Sequence, residues 1–161
     1  MKKVIAYDLG TGGVKASLHD ETGRTLCKAF EEYRTYYPTD SWHEQRPEDW
    51  WDAVVSGTKA LMGGCDPMDV KCIALSGQSL VAAPVGTGGE LLVESVPIWS
   101  DTRPQEQAGA FFNKIGENEF YETTGNGFPA RAIPFLSLCG LSSTNRAYIR
   151  ASIECWDQKT I

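Results

Sequence analysis

The residues best suited to chemistry stand together near the start of the chain, as Asp8-Leu9-Gly10-Thr11-Gly12-Gly13-Val14-Lys15. A carboxylate at the end of an apolar run can hold a hydrated magnesium ion, which takes few protein carboxylates and fills its other positions with water and phosphate oxygens. Three glycines in four positions let backbone N–H groups approach an anion closely, and the Thr11 hydroxyl adds a donor. Lys15 supplies a point charge suited to neutralising a phosphoryl group in transfer. The spacing matches neither GxGxxG nor a glycine-rich loop ending in GK[ST], so it is not the dinucleotide fingerprint or the P-loop. The same composition also suits a glycine-rich hairpin turn with an exposed Asp.

Such a cluster needs elements to position it. Val4 to Leu9 is a short, mostly apolar run, and Val14 to His19 is a second with partial alternation. Asp20-Glu21-Thr22-Gly23 is turn chemistry, and Thr25 to Tyr33 resumes as a strand, so an antiparallel three-strand meander is expected. Pro38 to Pro47 reads as a polar loop dotted with aromatics. A helix follows, with Pro47 in its first turn, Glu48 and Asp49 at the positive end of its dipole, and Trp50, Val54, Val55, Thr58 and Leu61 at helical spacing. Gly63-Gly64 ends it. Val70 to Leu75 reads as a buried strand, Leu80 to Val85 as another, and Leu91 to Val93 as a short third. Pro104 to Gly116 carries Ala108, Phe111, Phe112 and Ile115 at helical intervals. A meander followed by strand–helix alternation predicts an α/β domain with a mixed sheet.

Composition narrows the partners. The chain has 161 residues, 42% hydrophobic and 22% charged, as expected for one globular domain. Fifteen basic against 21 acidic side chains leave a net charge of −6. That argues against nucleic acid and anionic membranes, both of which need a basic footprint. No apolar run is long enough to span a bilayer, and Met1-Lys2-Lys3 leads straight into VIAYDLG, so a cytoplasmic protein is expected. Cys27, Cys65, Cys72, Cys139 and Cys155 form no CxxC pair and read as reduced thiols. His19 and His43 are the only histidines, and both read as surface or packing residues.

Further segments recur in a telling order: Trp42-His43-Glu44-Gln45 to Pro47-Glu48-Asp49-Trp50-Trp51, Leu75-Ser76-Gly77-Gln78-Ser79, Ile98-Trp99-Ser100-Asp101-Thr102-Arg103 and Thr124-Gly125-Asn126-Gly127. With the Asp8 to Lys15 segment, they resemble the FGGY carbohydrate kinases in order and approximate spacing, over residues 3 to about 135. The xylulokinase-like branch is the nearest pattern. The resemblance implies the N-terminal part of a ribonuclease-H-like, actin-like ATPase domain, with its mixed sheet and antiparallel first three strands. It implies ATP and Mg2+ as cofactors and a small-molecule sugar as substrate, D-xylulose most simply. A homodimer is open to the full-length family member. By position, Asp8 would stand near the magnesium, through water, and Gly10, Thr11, Gly12, Gly13 and Lys15 would cradle phosphates. Gln78 and Ser79 would contact the sugar, Trp99 would form its apolar wall, and Asp101 and Arg103 its polar rim. Trp99 equally suits a core, and Asp101 with Arg103 a surface ion pair or a helix cap. Alternatives of function are another sugar or polyol specificity (ribulose, fuculose, gluconate, glycerol) or a non-catalytic sugar-binding module.

The chain departs from the family in places. Members often carry a second Thr or Ser where Gly12 stands, and commonly an Asp where Gly86 stands. They are also several times longer. Their catalytic base is an Asp late in the first domain and their adenosine pocket lies in the second, so neither is expected in these residues, and Asp101 is not that base. After Ile133-Pro134-Phe135 the resemblance stops, and residues 136 to 161 are polar and aperiodic where a helix is expected. Taking the third base of each codon with the first two of the next, Cys155-Trp156 must give Leu and Trp156-Asp157 must give Gly. One permitted shifted reading ends in LGPKDY, a family-like segment. Residues after about 136 therefore read as a frameshifted tail, and the chain as a truncated, inactive fragment.

Overall fold

The computed structural model describes residues 1–125. The strands are β1 (Lys3–Leu9), β2 (Gly13–Asp20), β3 (Thr25–Glu32), β4 (Glu44–Gln45), β5 (Val70–Gly77) and β6 (Val96–Pro97). The helices are α1 (Pro47–Met62), α2 (Gln105–Ile115) and α3 (Glu117–Thr124). Two compact units divide the chain: Met1–Thr35 with Arg46–Ser79, and Tyr36–Gln45 with Leu80–Ile161.

The first unit is a four-stranded sheet in the order β3-β2-β1-β5. β1, β2 and β3 form the expected antiparallel meander, and β5 joins β1 in parallel. Alternation decides which face is buried: Ile5, Tyr7, Val14, Ala16 and Leu18 point into the core, where Ala53 and Leu61 of α1 meet them. Gly57 lies where α1 runs closest to β2, since a Cβ there would stand 3.3 Å from that of Ala16. Tyr7 keeps its hydroxyl satisfied in this core, 2.6 Å from the Thr58 hydroxyl. The hairpin between β2 and β3 turns on Asp20, whose Oδ1 accepts from the Thr22 and Arg24 amides and the Thr22 hydroxyl. These bonds, the Thr22 hydroxyl's first, hold the Asp20 carboxyl below its ordinary range.

One expectation about β5 needs correcting. The strand forms, but it is not buried: Ile73 is 59% exposed and Leu75 72%. The cause is the placement of α1, which lies over β2 and β3, with no described element of this unit over β5.

The second unit holds the two-residue antiparallel ladder of β4 with β6 and the helices α2 and α3. Phe111, Phe112 and Phe120 meet edge to face between those helices, with centroids 5.1 to 6.0 Å apart. The strands expected at Leu80 to Val85 and Leu91 to Val93 do not form; a single bridge pairs Val85 with Leu91. Two features explain this. Leu80 adopts φ +63, a left-handed conformation that breaks an extended run, and Pro84 removes a ladder donor. The helix expected over Pro104 to Gly116 forms as α2, and Gly116, at φ +83, ends it and lets α3 begin at once.

Candidate functional site

The Asp8 to Lys15 segment is the β1–β2 turn. Asp8 and Lys15 are register partners across the hairpin, with Nζ to Oδ2 at 3.7 Å, and their side chains are 53% and 71% exposed. Neither is buried or locked, so both can turn toward a ligand. The loop itself is tight. The Gly10 amide donates to the carbonyls of Asp8 and Gly13, at 3.1 and 3.0 Å. Gly13 has no room for a side chain: a Cβ would stand 2.5 Å from the Glu31 carbonyl oxygen and 2.9 Å from the Phe30 ring. Gly12 has open space around it, so the family's larger residue would fit sterically.

Parallel pairing sets a second segment against this turn. Leu9 pairs with Gly77 and Asp8 with Ser76, and the Gln78 amide donates to the Leu9 carbonyl at 2.8 Å. A Cβ on Gly77 would stand 3.2 Å from the Leu9 Cβ, so glycine permits this approach. The C-terminal ends of two neighbouring parallel strands thus carry both the glycine turn and Gln78-Ser79, the usual placement of ligand sites in α/β sheets. Tyr33, which sequence reasoning left out, completes the corner. Its hydroxyl donates to the Gly10 carbonyl. Burial first, and then the Asp8 charge, push the phenol up, while a hydrogen bond with Gln78 acts the other way. No pattern in the sequence signals Tyr33, because only the register of β3 brings it to the turn.

Trp99, Asp101 and Arg103 belong to the second unit. Asp101 is fully buried and its carboxylate is already engaged. Its Oδ2 accepts from the His43 amide at 2.9 Å and from Arg103 Nη2 at 2.7 Å, and its Oδ1 accepts from the Arg103 amide and Nε, each at 3.0 Å. Arg103 Nη2 also donates to Glu44 Oε1 at 2.6 Å, and Ser95 Oγ donates to Glu44 Oε2 at 2.6 Å. Burial disfavours the charged Arg103, but hydrogen bonds to Asp101 and then Glu44 more than offset this and raise its pKa. The guanidinium carbon lies 4.1 Å from the centroid of the Trp42 ring, a cation–π contact. His43 adds a ring contact with Tyr37 and a 2.8 Å hydrogen bond with Ser100. Trp99, by contrast, is 44% exposed.

The structure therefore gathers Asp8, Gly10, Thr11, Gly12, Gly13, Lys15 and Gln78 at one end of the sheet, with Ser79 next in the chain. Asp101 and Arg103 form a separate buried network with Glu44. Asn126 and Gly127 and the tail from 136 lie outside the described residues.

Among the described residues no group of three or more His, Cys, Asp or Glu could enclose a metal ion. An exposed Asp8 still fits magnesium, which is commonly held by one carboxylate, waters and phosphate oxygens. No helix of the described residues is long and apolar enough to cross a membrane.

A model of the N-terminal domain of the FGGY family of carbohydrate kinases matches residues 3–137. The chain is 34% identical over 122 residues to a xylulose kinase of Escherichia coli K12 and 32% identical to one of Klebsiella pneumoniae. Each alignment covers 76% of this chain and 25% of the relative, so the chain spans about a quarter of the curated relatives it matches. The solved structure of a ligand-bound xylulose kinase from Lactobacillus acidophilus superposes with a TM-score of 0.82 at 22% identity, covering 94% of this chain and 30% of that one. A glycerol kinase and a gluconate kinase also match.

Proposed function

The chain belongs to the FGGY family of carbohydrate kinases, with the actin-like ATPase fold, and from that premise we propose that the whole protein transfers the γ-phosphoryl group of ATP to a hydroxyl of a ketopentose. D-xylulose is the simplest acceptor, supported by the xylulose kinases among its relatives. The observation that carries the reading is the exposed Asp8–Lys15 pair on a glycine turn beside Gln78.

In this reading the Gly10, Thr11, Gly12 and Gly13 segment and Lys15 hold phosphates, and Asp8 faces Mg2+ through water. When bound, the metal supplies charge neutralisation on the phosphates. Tyr33 fixes the turn through the Gly10 carbonyl. Gln78 and Ser79 offer hydrogen bonds to the sugar hydroxyls, and Trp99 offers an apolar face. Asp101 and Arg103, whose polar atoms are occupied by each other and by Glu44 and His43, serve by holding the Trp99 segment.

Residues 1–161 alone would be silent, because phosphoryl transfer depends on positioning from every side of the reacting groups. Residues beyond about 136 are a frameshifted tail in this proposal, and sequencing the DNA from codon 134 onward tests it. One inserted or deleted base, with the family continuing in another frame, is the expected finding.

Coupled ADP release with D-xylulose tests the activity. The full-length protein read in the restored frame should turn over at roughly 1–100 per second, and the 161-residue chain should not. Full-length protein that phosphorylates no sugar would overturn the reading. The matching glycerol and gluconate kinases favour a second specificity. A panel including both acceptors separates the two, since a few hydrogen bonds to hydroxyls decide selection.

A further inference from the structure

Cys65 lies outside the candidate site, in the connection between α1 and β5. It is 9% exposed, whereas Cys27 and Cys72 are exposed. Its Sγ accepts a hydrogen bond from Lys3 Nζ at 3.2 Å and donates to the Asp66 carbonyl at 3.4 Å. Lys3 is itself largely enclosed, its side chain 14% exposed, and its Nζ lies 3.1 Å from Asp69 Oδ2. The chain's amino terminus completes the group, 3.5 Å from Asp69 Oδ1. An amine, a thiol and a carboxylate thus meet between the start of β1 and the turn before β5. Among the described cysteines, only Cys65 accepts a hydrogen bond from a lysine nitrogen.

We propose that Lys3 and Cys65 form an oxidative modification site, in which a peroxide joins them by a reversible nitrogen–sulfur bond. The Cys65 thiol first takes one oxygen from hydrogen peroxide, giving a sulfenic acid and one water. Sulfenic acids condense with a nearby nitrogen to give a sulfenamide. Here Lys3 gives up its extra proton to solvent, and the free amine attacks the sulfur. The S–OH bond breaks, and the hydroxyl leaves with the second amine proton as water. The net change is loss of two hydrogens from the protein, while the peroxide is reduced to two waters. The flexible four-carbon stem of lysine can close the remaining distance without moving β1. An excess of small thiol reverses the bond, returning the thiol and the amine and leaving the small thiol as its disulfide.

Deprotonation of Lys3 gates the step. Hydrogen bonds to Cys65 first, and Asp69 second, raise the Lys3 pKa, so the ammonium dominates at neutral pH. Conversion of the thiol to a sulfenic acid removes the first of these supports. The link should therefore form faster as pH rises from 7 to 9.

The experiment treats the folded 161-residue chain with hydrogen peroxide, digests it and reads peptide masses. The expected product is a Lys3–Cys65 cross-linked peptide lacking two hydrogens, lost on treatment with dithiothreitol. Lys3→Arg keeps the positive charge, and with circular dichroism unchanged it should abolish the cross-link. The same peroxide in concentrated urea should also abolish it, a control that needs no variant. Cys65 recovered only as thiol or sulfinic acid from the folded chain would overturn the proposal. So would a cross-link equally abundant in urea, because folded proximity would then not be its cause.

Discussion

Two aspartates of this chain expected at a ligand site, Asp8 and Asp101, have opposite environments. Asp8, next to last in β1, has its side chain 53% exposed and, among the described residues, only an exposed lysine, 3.7 Å away, as ion-pair partner. Asp101 is fully buried, with both oxygens taken by Arg103 and by the His43 amide. The first carboxylate is available to a ligand; the second is consumed by structure. Their units are held together differently as well. The sheet unit rests on an apolar core, and polar groups collect at the end of its strands. The second unit buries an ion network as well as the apolar Val96, Ile98, Ala108 and Phe112. A buried network of this kind is costly to break, because removing one partner strands the others away from water.

Arg103→Ala should break this comparison most severely, leaving Asp101 and Glu44 buried without a counter-charge. A loss of about 3–5 kcal/mol is expected in urea unfolding. Hydrogen exchange should accelerate at residues 43–45 and 96–103, while β1 and β2 stay protected. A second, smaller effect belongs to the sheet unit. Gly13→Ala forces a Cβ against the Glu31 carbonyl and Phe30, and overpacking of that kind costs about 1–3 kcal/mol in thermal or urea unfolding. It should also shift the amide resonances of the turn.

The hairpin carboxylate gives a pH signature. The Asp20 pKa is lowered in the folded chain, so its stabilisation is fully present above the unfolded value of about 4 and is lost as pH falls through the folded value. Asp20→Asn should flatten the acid limb of stability below about pH 4 relative to the parent. The smallest change in stability should come from Leu75→Lys on the uncovered strand, within about 0.5 kcal/mol for an exposed site. Its readout is association: a charge on an open apolar edge should lower the apparent mass in sedimentation at high concentration.

Much of the sheet unit was legible from pattern alone. Short apolar runs separated by Asp and Gly gave the meander, and Pro47 with the acidic first turn gave α1 within a residue of its bounds. Pattern failed where the deciding term was tertiary. Val70 to Leu75 is apolar enough for a buried strand, yet burial depends on what covers it, and α1 lies over other strands. Leu80 to Val85 is equally apolar, but its backbone conformation at Leu80 is set by the loop it leaves. At the candidate site, residue types announced the glycine turn and Gln78. They left the exposure of Asp8 and Asp101 undecided, since exposure follows from partners: His43, on Asp101, and Glu44, on Arg103, lie almost sixty residues away in sequence. Tyr33 was invisible for the same reason.

The most direct test follows the backbone amides of Gly10, Thr11, Gly12 and Gly13 by nuclear magnetic resonance as Mg·ATP is added to the 161-residue chain. These amides should shift progressively, with Gly23 and Gly116 unmoved as internal references, and Asp8→Asn should weaken the response without altering the fold. Shifts confined to other residues, or a response identical in the Asp8→Asn chain, would contradict a nucleotide-phosphate role for this corner.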